Sequence, residues 1–246
     1  MAGKVFFASD FHLGLRVGTD PLEREKRVIK WLNEVAPDAR EIFLLGDVFD
    51  FWWEYKRVVP KGFTRFLGTI SLLTDSGVPV HFFTGNHDMW AGKYLSGECG
   101  LIIHNEPFLT TIDDRIFYLA HGEGLGTTTL GYKILLSIFR NKFLQKLYSA
   151  LHPGIGVWIG HKWSHNSRLG KGISLEFLGE EKEDLFRHSR KILEKTKVNY
   201  FIYGHRHLPM KSKIADDSAI IIMGDWIVSS SYAEWDGIEL TLRMIN

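Results

Sequence analysis

Short apolar runs alternate with amphipathic stretches through the first hundred residues. Lys4 to Ser9, Ile42 to Leu45 and Val80 to Thr84 are too short for helices, and each runs into polar residues: Asp10-Phe11-His12, Gly46-Asp47 and Gly85-Asn86-His87-Asp88. Runs of this kind predict buried strands that present side chains at their C-terminal ends, where open α/β sheets bind ligands. Between them, Val28, Trp31, Leu32 and Val35 recur at helical spacing within Pro21 to Val35, with Asp20 as N-cap before Pro21. Gly62 to Asp75 repeats the pattern and stops at Ser76-Gly77-Val78-Pro79. The order is β-α-β-α-β.

Beyond Leu101 the pattern becomes β-rich. Phe108 to Ile112 and Arg115 to Ala120 flank Asp113-Asp114, a hairpin signal. Tyr200 to Tyr203 and Ala219 to Met223 are further strands, preceded by a helix over Glu180 to Lys195. Ligand-type residues again follow: His121-Gly122-Glu123, Gly204-His205-Arg206-His207 and Gly224-Asp225.

One stretch breaks the alternation. Between Glu123 and Glu176 there is no acidic residue, yet Lys133, Arg140, Lys142, Lys146, Lys162, Arg168 and Lys171 occur there. Leu130, Ile134 and Ile138, and Leu135, Phe139 and Phe143, recur at helical spacing, and Leu144, Leu147, Tyr148 and Leu151 follow. The pattern predicts a helical insertion over residues 126–175, basic on one side and apolar on the other, within one domain of residues 1–246.

Composition narrows the class. The chain has 246 residues, 45% of them hydrophobic and 24% charged, which suits a folded globular domain. A net charge of +1 excludes the whole-protein basic field that gathers nucleic acid. Cys99 is the only cysteine, so no intramolecular disulfide forms and a reducing compartment fits. The start of the chain shows no signal-peptide core, and no apolar run approaches the ~20 residues of a spanning helix. A cytoplasmic protein, at most bound to a membrane surface, is expected.

The strand ends collect Asp10, His12, Asp47, Asn86, His121, His205 and His207. Imidazole, carboxylate and amide oxygen together suit Mn, Fe or Zn better than Mg or Ca. So many donors predict two metals sharing a carboxylate, an arrangement that polarises a phosphoryl oxygen and activates water. Asp47 is the expected shared ligand, because Gly46 lets backbone and metal approach. His87 is the expected general acid, with Asp88 holding its ring. Any one of these motifs is weak by itself; their joint occurrence at separate strand ends is the signal. Trp52, Trp53, Trp158, Trp163 and Trp226 read first as core or interface residues.

Asp10-x-His12, Gly46-Asp47-x-x-Asp50, Gly85-Asn86-His87-Asp88, His121-Gly122 and Gly204-His205-x-His207 together resemble the calcineurin-like metallophosphoesterases, in that family's order. The resemblance implies a β-sandwich flanked by helices in α-β-β-α layers. It implies one metal held by Asp10, His12, Asp47 and His207, and a second held by Asp47, Asn86, His121 and His205. Within the superfamily, Gly46-Asp47-Val48-Phe49-Asp50 followed by Trp52, Ser76-Gly77-Val78-Pro79, Gly92-Lys93, His121-Gly122-Glu123, Gly131-Tyr132 and His207-x-Pro209 resemble the UDP-2,3-diacylglucosamine pyrophosphatases of lipid A biosynthesis. That likeness implies a helical lid in place of the acid-free insertion. It implies hydrolysis to UMP and 2,3-diacylglucosamine 1-phosphate by a metal-activated hydroxide, with manganese favoured.

The expected substrate contacts are Asn86, His87, Tyr132, Asn166, Ser167 and Arg168. Leu135, Ile138, Phe139, Phe143 and Leu147 are the expected wall of an acyl groove. The basic residues would face pyrophosphate or the anionic cytoplasmic face of the inner membrane. No nucleic acid and no obligate protein partner are expected. His87 stands where many members of that family have Arg, and Asp50 where they have Glu. A soluble phosphomonoesterase or phosphodiesterase acting on small phosphate esters is therefore the alternative.

Overall fold

A computed structural model describes residues 3–126, 130–171 and 176–245; the side chains of Tyr132 and of residues 165–171 lie outside that description. In chain order the elements are β1 (Lys4–Ala8), α1 (Pro21–Val35), β2 (Ala39–Leu44), α2 (Thr64–Asp75), β3 (Val80–Phe83), α3 (Lys93–Cys99), β4 (Ile102–His104), β5 (Phe108–Ile112) and β6 (Arg115–Ala120). Then come α4 (Leu130–Arg140), α5 (Lys142–Ser149), α6 (Pro153–Lys171), α7 (Asp184–Leu193), β7 (Tyr200–Tyr203), β8 (Met210–Ala215), β9 (Ser218–Ile222), β10 (Ser231–Trp235) and β11 (Leu240–Met244).

Two sheets stack face to face. The first has the order β11-β10-β1-β2-β3-β4 and the second β5-β6-β7-β9-β8. β1 to β4 run parallel, as do β6, β7 and β9, so their C-terminal ends open at the same edges of the two sheets. Alternate residues of each strand face opposite layers. Phe7 lies in the inter-sheet core, stacked on Phe43 at 5.3 Å and on Phe117 of the other sheet at 5.8 Å. Its neighbours Phe6 and Ala8 face outward onto Val28, Trp31 and Leu32 of α1. On the far side Leu185 and Phe186 of α7 cover Tyr118, Phe201 and Ile220. The result is the expected α-β-β-α sandwich.

Local signals act as read. The Asp20 carboxylate caps α1 by accepting from the N–H groups of Leu22 and Glu23, and Val28, Trp31, Leu32 and Val35 are all buried. Asp113 and Asp114 both take the left-handed backbone that a tight hairpin requires. The helix read from Glu180 to Lys195 is shorter, Asp184–Leu193. The hairpin β10–β11 was not anticipated. β10 pairs antiparallel with β1, so the C-terminal strands complete the sheet begun at the N-terminus. Its sequence, Ser-Tyr-Ala-Glu-Trp, carries too mixed a pattern to announce a strand without that partner.

The His81 imidazole stacks on Phe43 at 4.3 Å and its Nδ1 lies 2.9 Å from Nε2 of His104. Burial, then the proximity of His104, pushes its pKa down to about 4. A histidine depressed in the folded state favours folding above its unfolded pKa of about 6.5. That contribution is lost as pH falls from about 6.5 towards 4. Urea unfolding at pH 7.5 and pH 5.0 should therefore show a larger acid loss for the wild type than for His81→Phe. The difference should be on the order of 1 kcal/mol after solvent screening of this half-buried ring; equal losses would refute the assignment.

Candidate metal centre

The seven expected donors, Asp10, His12, Asp47, Asn86, His121, His205 and His207, come from five strand ends of both sheets, and the sandwich brings Asp10, His12, Asp47, His121, His205 and His207 together. Nitrogen and oxygen atoms of Asp10, His12 and His207 lie within 4.8 Å of one another, as do those of Asp47, His121 and His205. Asp10, His12, Asp47, His205 and His207 all have φ between 45° and 66°. Non-glycine residues occupy this left-handed region at a cost, and its use at five donors marks a site held by surrounding structure.

Asp47 sits at the centre. Its Oδ1 accepts from the N–H of His87 at 2.9 Å, which leaves Oδ2 facing the imidazoles. Nε2 of His121 lies 3.4 Å from that oxygen, Nε2 of His12 3.8 Å and Nε2 of His87 4.0 Å. Burial acts to raise the Asp47 pKa, but the surrounding histidines, His121 foremost, hold its carboxyl well below the usual range. Asp10 is pushed up by burial, offset in part by His207. Two glycines make room. A Cβ on Gly46 would lie 2.6 Å from Nδ1 of His121, and one on Gly85 would strike the Asp47 carboxylate.

Hydrogen bonds fix which imidazole nitrogen faces inward. Nδ1 of His121 donates to the Leu45 carbonyl at 2.8 Å, and Nδ1 of His207 donates to Asp225 at 2.9 Å. Each leaves an Nε2 lone pair for the centre. Asp225 is itself held, because its Oδ1 accepts from the N–H groups of Ile227, Val228 and Ser229.

Asp10 Oδ1, Asn86 Oδ1 and His121 Nε2 are buried without hydrogen-bond partners among the described residues. Buried acceptors without donors are costly, and those of Asp10 and His121, set among a second carboxylate and further imidazoles, form a donor set suited to divalent cations. The residues present therefore fit divalent metal.

The expectation for Asp88 needs correction. Its carboxylate does not hold the His87 ring; it accepts from the N–H groups of Val48 at 2.8 Å, Phe49 at 3.2 Å and Gly85 at 2.7 Å, clipping together the loops that follow β2 and β3. His87 Nδ1 instead lies 3.0 Å from the Asp50 carbonyl and 3.2 Å from the hydroxyl of Ser164 on α6. No sequence signal pointed to Ser164, which is 77 residues from His87 in the chain. The side chains of Tyr132, Asn166, Ser167 and Arg168 lie outside the described residues.

Two clefts flank α4. Ile138 and Phe139 face an apolar cleft of about 260 Å³, closed by Phe51, Trp53 and Trp90 of the core and Trp163 of α6. Leu136 and Arg140 face a more polar cleft of about 180 Å³ that reaches His121 and Glu123. Of the expected groove residues, Phe143 and Leu147 point outward at 74% and 60% exposure, and Leu135 is not in the apolar wall. Leu144 and Tyr148, on the other face of α5, line the cleft instead. Trp52 and Trp226 are core residues, whereas Trp158 is exposed.

A family model described as calcineurin-like phosphoesterase matches residues 3–209. The chain is 38% identical over 256 aligned positions to a UDP-2,3-diacylglucosamine hydrolase of Porphyromonas gingivalis, spanning 99% of this chain and 98% of that one. A protein of the same name from Actinobacillus succinogenes is 28% identical over 231 positions, covering 94% and 95%. Among solved structures, an Escherichia coli phosphoesterase aligns with a TM-score of 0.46 and 15% identity, over 99% of this chain and 97% of that one.

If Asp225 orients His207 for metal, Asp225→Asn should weaken manganese binding about 10- to 100-fold while the protein still folds. Titration calorimetry of metal-stripped protein checks this; unchanged affinity would remove Asp225 from the centre.

Proposed function

The chain belongs to the calcineurin-like phosphoesterases, and on that premise we propose that it hydrolyses the pyrophosphate of UDP-2,3-diacylglucosamine, releasing UMP and 2,3-diacylglucosamine 1-phosphate. The observation that carries this reading is the aromatic, apolar cleft between the core and helices α4 to α6, which hold no acidic residue, with the Trp163 ring centre 6.1 Å from that of His87. A phosphoesterase for small soluble esters has no use for such a cleft, whereas acyl chains need one. The full-length likeness to proteins named for this substrate supports it.

Calcineurin-like phosphoesterases use divalent metals. In this reading Asp10, His12, Asp47 and His207 hold one ion, and Asp47, Asn86, His121 and His205 the other, with manganese preferred over iron or zinc. Bound there, the ions supply Lewis-acid polarisation of a phosphoryl oxygen and lower the pKa of water. His87 faces the substrate. With Nδ1–H committed to the Asp50 carbonyl, the protonated ring has one proton to give, at Nε2, and passes it to the leaving phosphate oxygen. Asp88 serves by clipping the two loops that carry Asp47 and His87. Asn86 and His87 contact the pyrophosphate, with Tyr132, Asn166, Ser167 and Arg168 as further substrate contacts.

Residues 126–175 act as a lid in this scheme. Acyl chains enter the apolar cleft on one side of α4, and the nucleotide takes the polar cleft on the other, beside Arg140. The outer surface of the lid suits a membrane. Leu130, Phe143, Leu147 and Trp158 are each at least 60% exposed, among the exposed Lys133, Lys142, Lys146 and Lys162. Apolar side chains among lysines favour an anionic lipid surface. No helix among the described residues is long and apolar enough to cross a membrane. Peripheral attachment at the cytoplasmic face of the inner membrane follows from this reading.

With manganese and UDP-2,3-diacylglucosamine, the wild type should release UMP and Asp47→Ala should lose at least about 1,000-fold in kcat/KM, as expected when the shared ligand goes. Phe139→Ser should raise KM for the acylated substrate about tenfold, while Phe143→Ser with Leu147→Ser should weaken sedimentation with anionic vesicles and spare turnover in detergent. Turnover of small phosphate esters without UMP release would replace this substrate with the soluble phosphoesterase alternative.

A further inference from the structure

α6 lies directly on the core. Gly156, Gly160 and Ser164 recur every four residues and so share one helical face. A Cβ on Gly156 would collide with the Tyr55 hydroxyl, and one on Gly160 with the Phe51 ring, so only glycine allows this approach. The next position on that face, Ser164, is fully buried. Its hydroxyl lies 2.9 Å from Asp50 Oδ1 and 3.2 Å from His87 Nδ1.

The direction of these bonds follows from chemistry. The Asp50 carboxylate accepts, so the single hydroxyl proton of Ser164 goes to it. The Asp50 carbonyl, 3.0 Å from His87 Nδ1, can only accept, so that nitrogen carries a proton. Ser164 oxygen is then a second acceptor for the same N–H. Together the two acceptors fix the ring with Nε2 aimed at Asp47, 4.0 Å away. The same helix lines the apolar cleft through Ile159, Gly160 and Trp163, and the Trp163 ring centre lies 6.1 Å from that of His87.

We infer that Ser164 is a positioning residue for His87, holding the imidazole from the same helix that lines the apolar cleft. The inference rests on the reading of His87 as the proton donor. A ring held in place before substrate arrives needs no reorientation in the reacting complex, so the contact acts on kcat rather than on KM.

The test is a double-mutant cycle on the manganese-loaded protein with UDP-2,3-diacylglucosamine, measuring kcat, KM and bound metal for Ser164→Ala, His87→Ala and the pair. Ser164→Ala should lower kcat about 10- to 100-fold with KM and metal content nearly unchanged, and should do nothing further once His87 is gone. Ser164→Thr, which keeps the hydroxyl, should recover most of the loss. A rise in KM alone makes Ser164 a substrate contact and overturns the inference, as does an equal loss in the His87→Ala background or a loss of metal. If the wild type releases no UMP, the substrate reading has failed instead, and the same cycle with phenyl phosphate, whose leaving oxygen needs a proton, decides the role of Ser164.

Discussion

The buried carboxylate of Asp47 is the constraint around which the rest is arranged. One oxygen is tied to the backbone of His87, and the other is left among three imidazoles. Removing such a charge from water is unfavourable unless other charges and dipoles replace the solvent. The histidines do this only if their rings are aimed, and that requires acceptors behind them: the Leu45 carbonyl for His121 and Asp225 for His207. The centre is thus a layered structure, in which each inner group depends on an outer one that is itself anchored.

The strained backbone has the same origin. Five donor residues in left-handed conformations need a rigid support, and the aromatic core between the sheets supplies it. Parallel strands bring their C-terminal ends to a common edge, so loops from both sheets meet without long excursions. Behind them the Arg24 guanidinium, fully buried, donates to the carbonyls of His12, Leu15 and Val17 and sets the path of the first loop.

Helices α4 to α6 add what the core lacks. α4 divides an apolar cleft from a polar one, and the polar one reaches His121. α6 approaches the core closely enough, through its glycines, for one of its own hydroxyls to touch the His87 ring, whose Nε2 faces Asp47.

Sequence alone determined what local chain geometry controls. The run of Val80 to Thr84 ahead of Asn86 and His87 specified a strand with functional residues at its exit, because a short apolar run has few other stable fates. The spacing of Val28, Trp31 and Leu32 specified the buried face of α1, because helical periodicity fixes which residues share a side. The motif order also made the family legible. Tertiary structure decided the rest. Asp88 turned from the adjacent imidazole to backbone N–H groups forty residues away, since neighbouring side chains diverge and a carboxylate goes to the donors that folding brings near. The face of α5 that lines the cleft, Leu144 and Tyr148 rather than Phe143 and Leu147, depended on how that helix is rotated against the core. Two apolar faces of one helix look alike in sequence, and only packing distinguishes them. Ser164 could not be read at all, for its partners are set by the docking of one helix on a loop more than a hundred residues earlier, which no local spacing encodes.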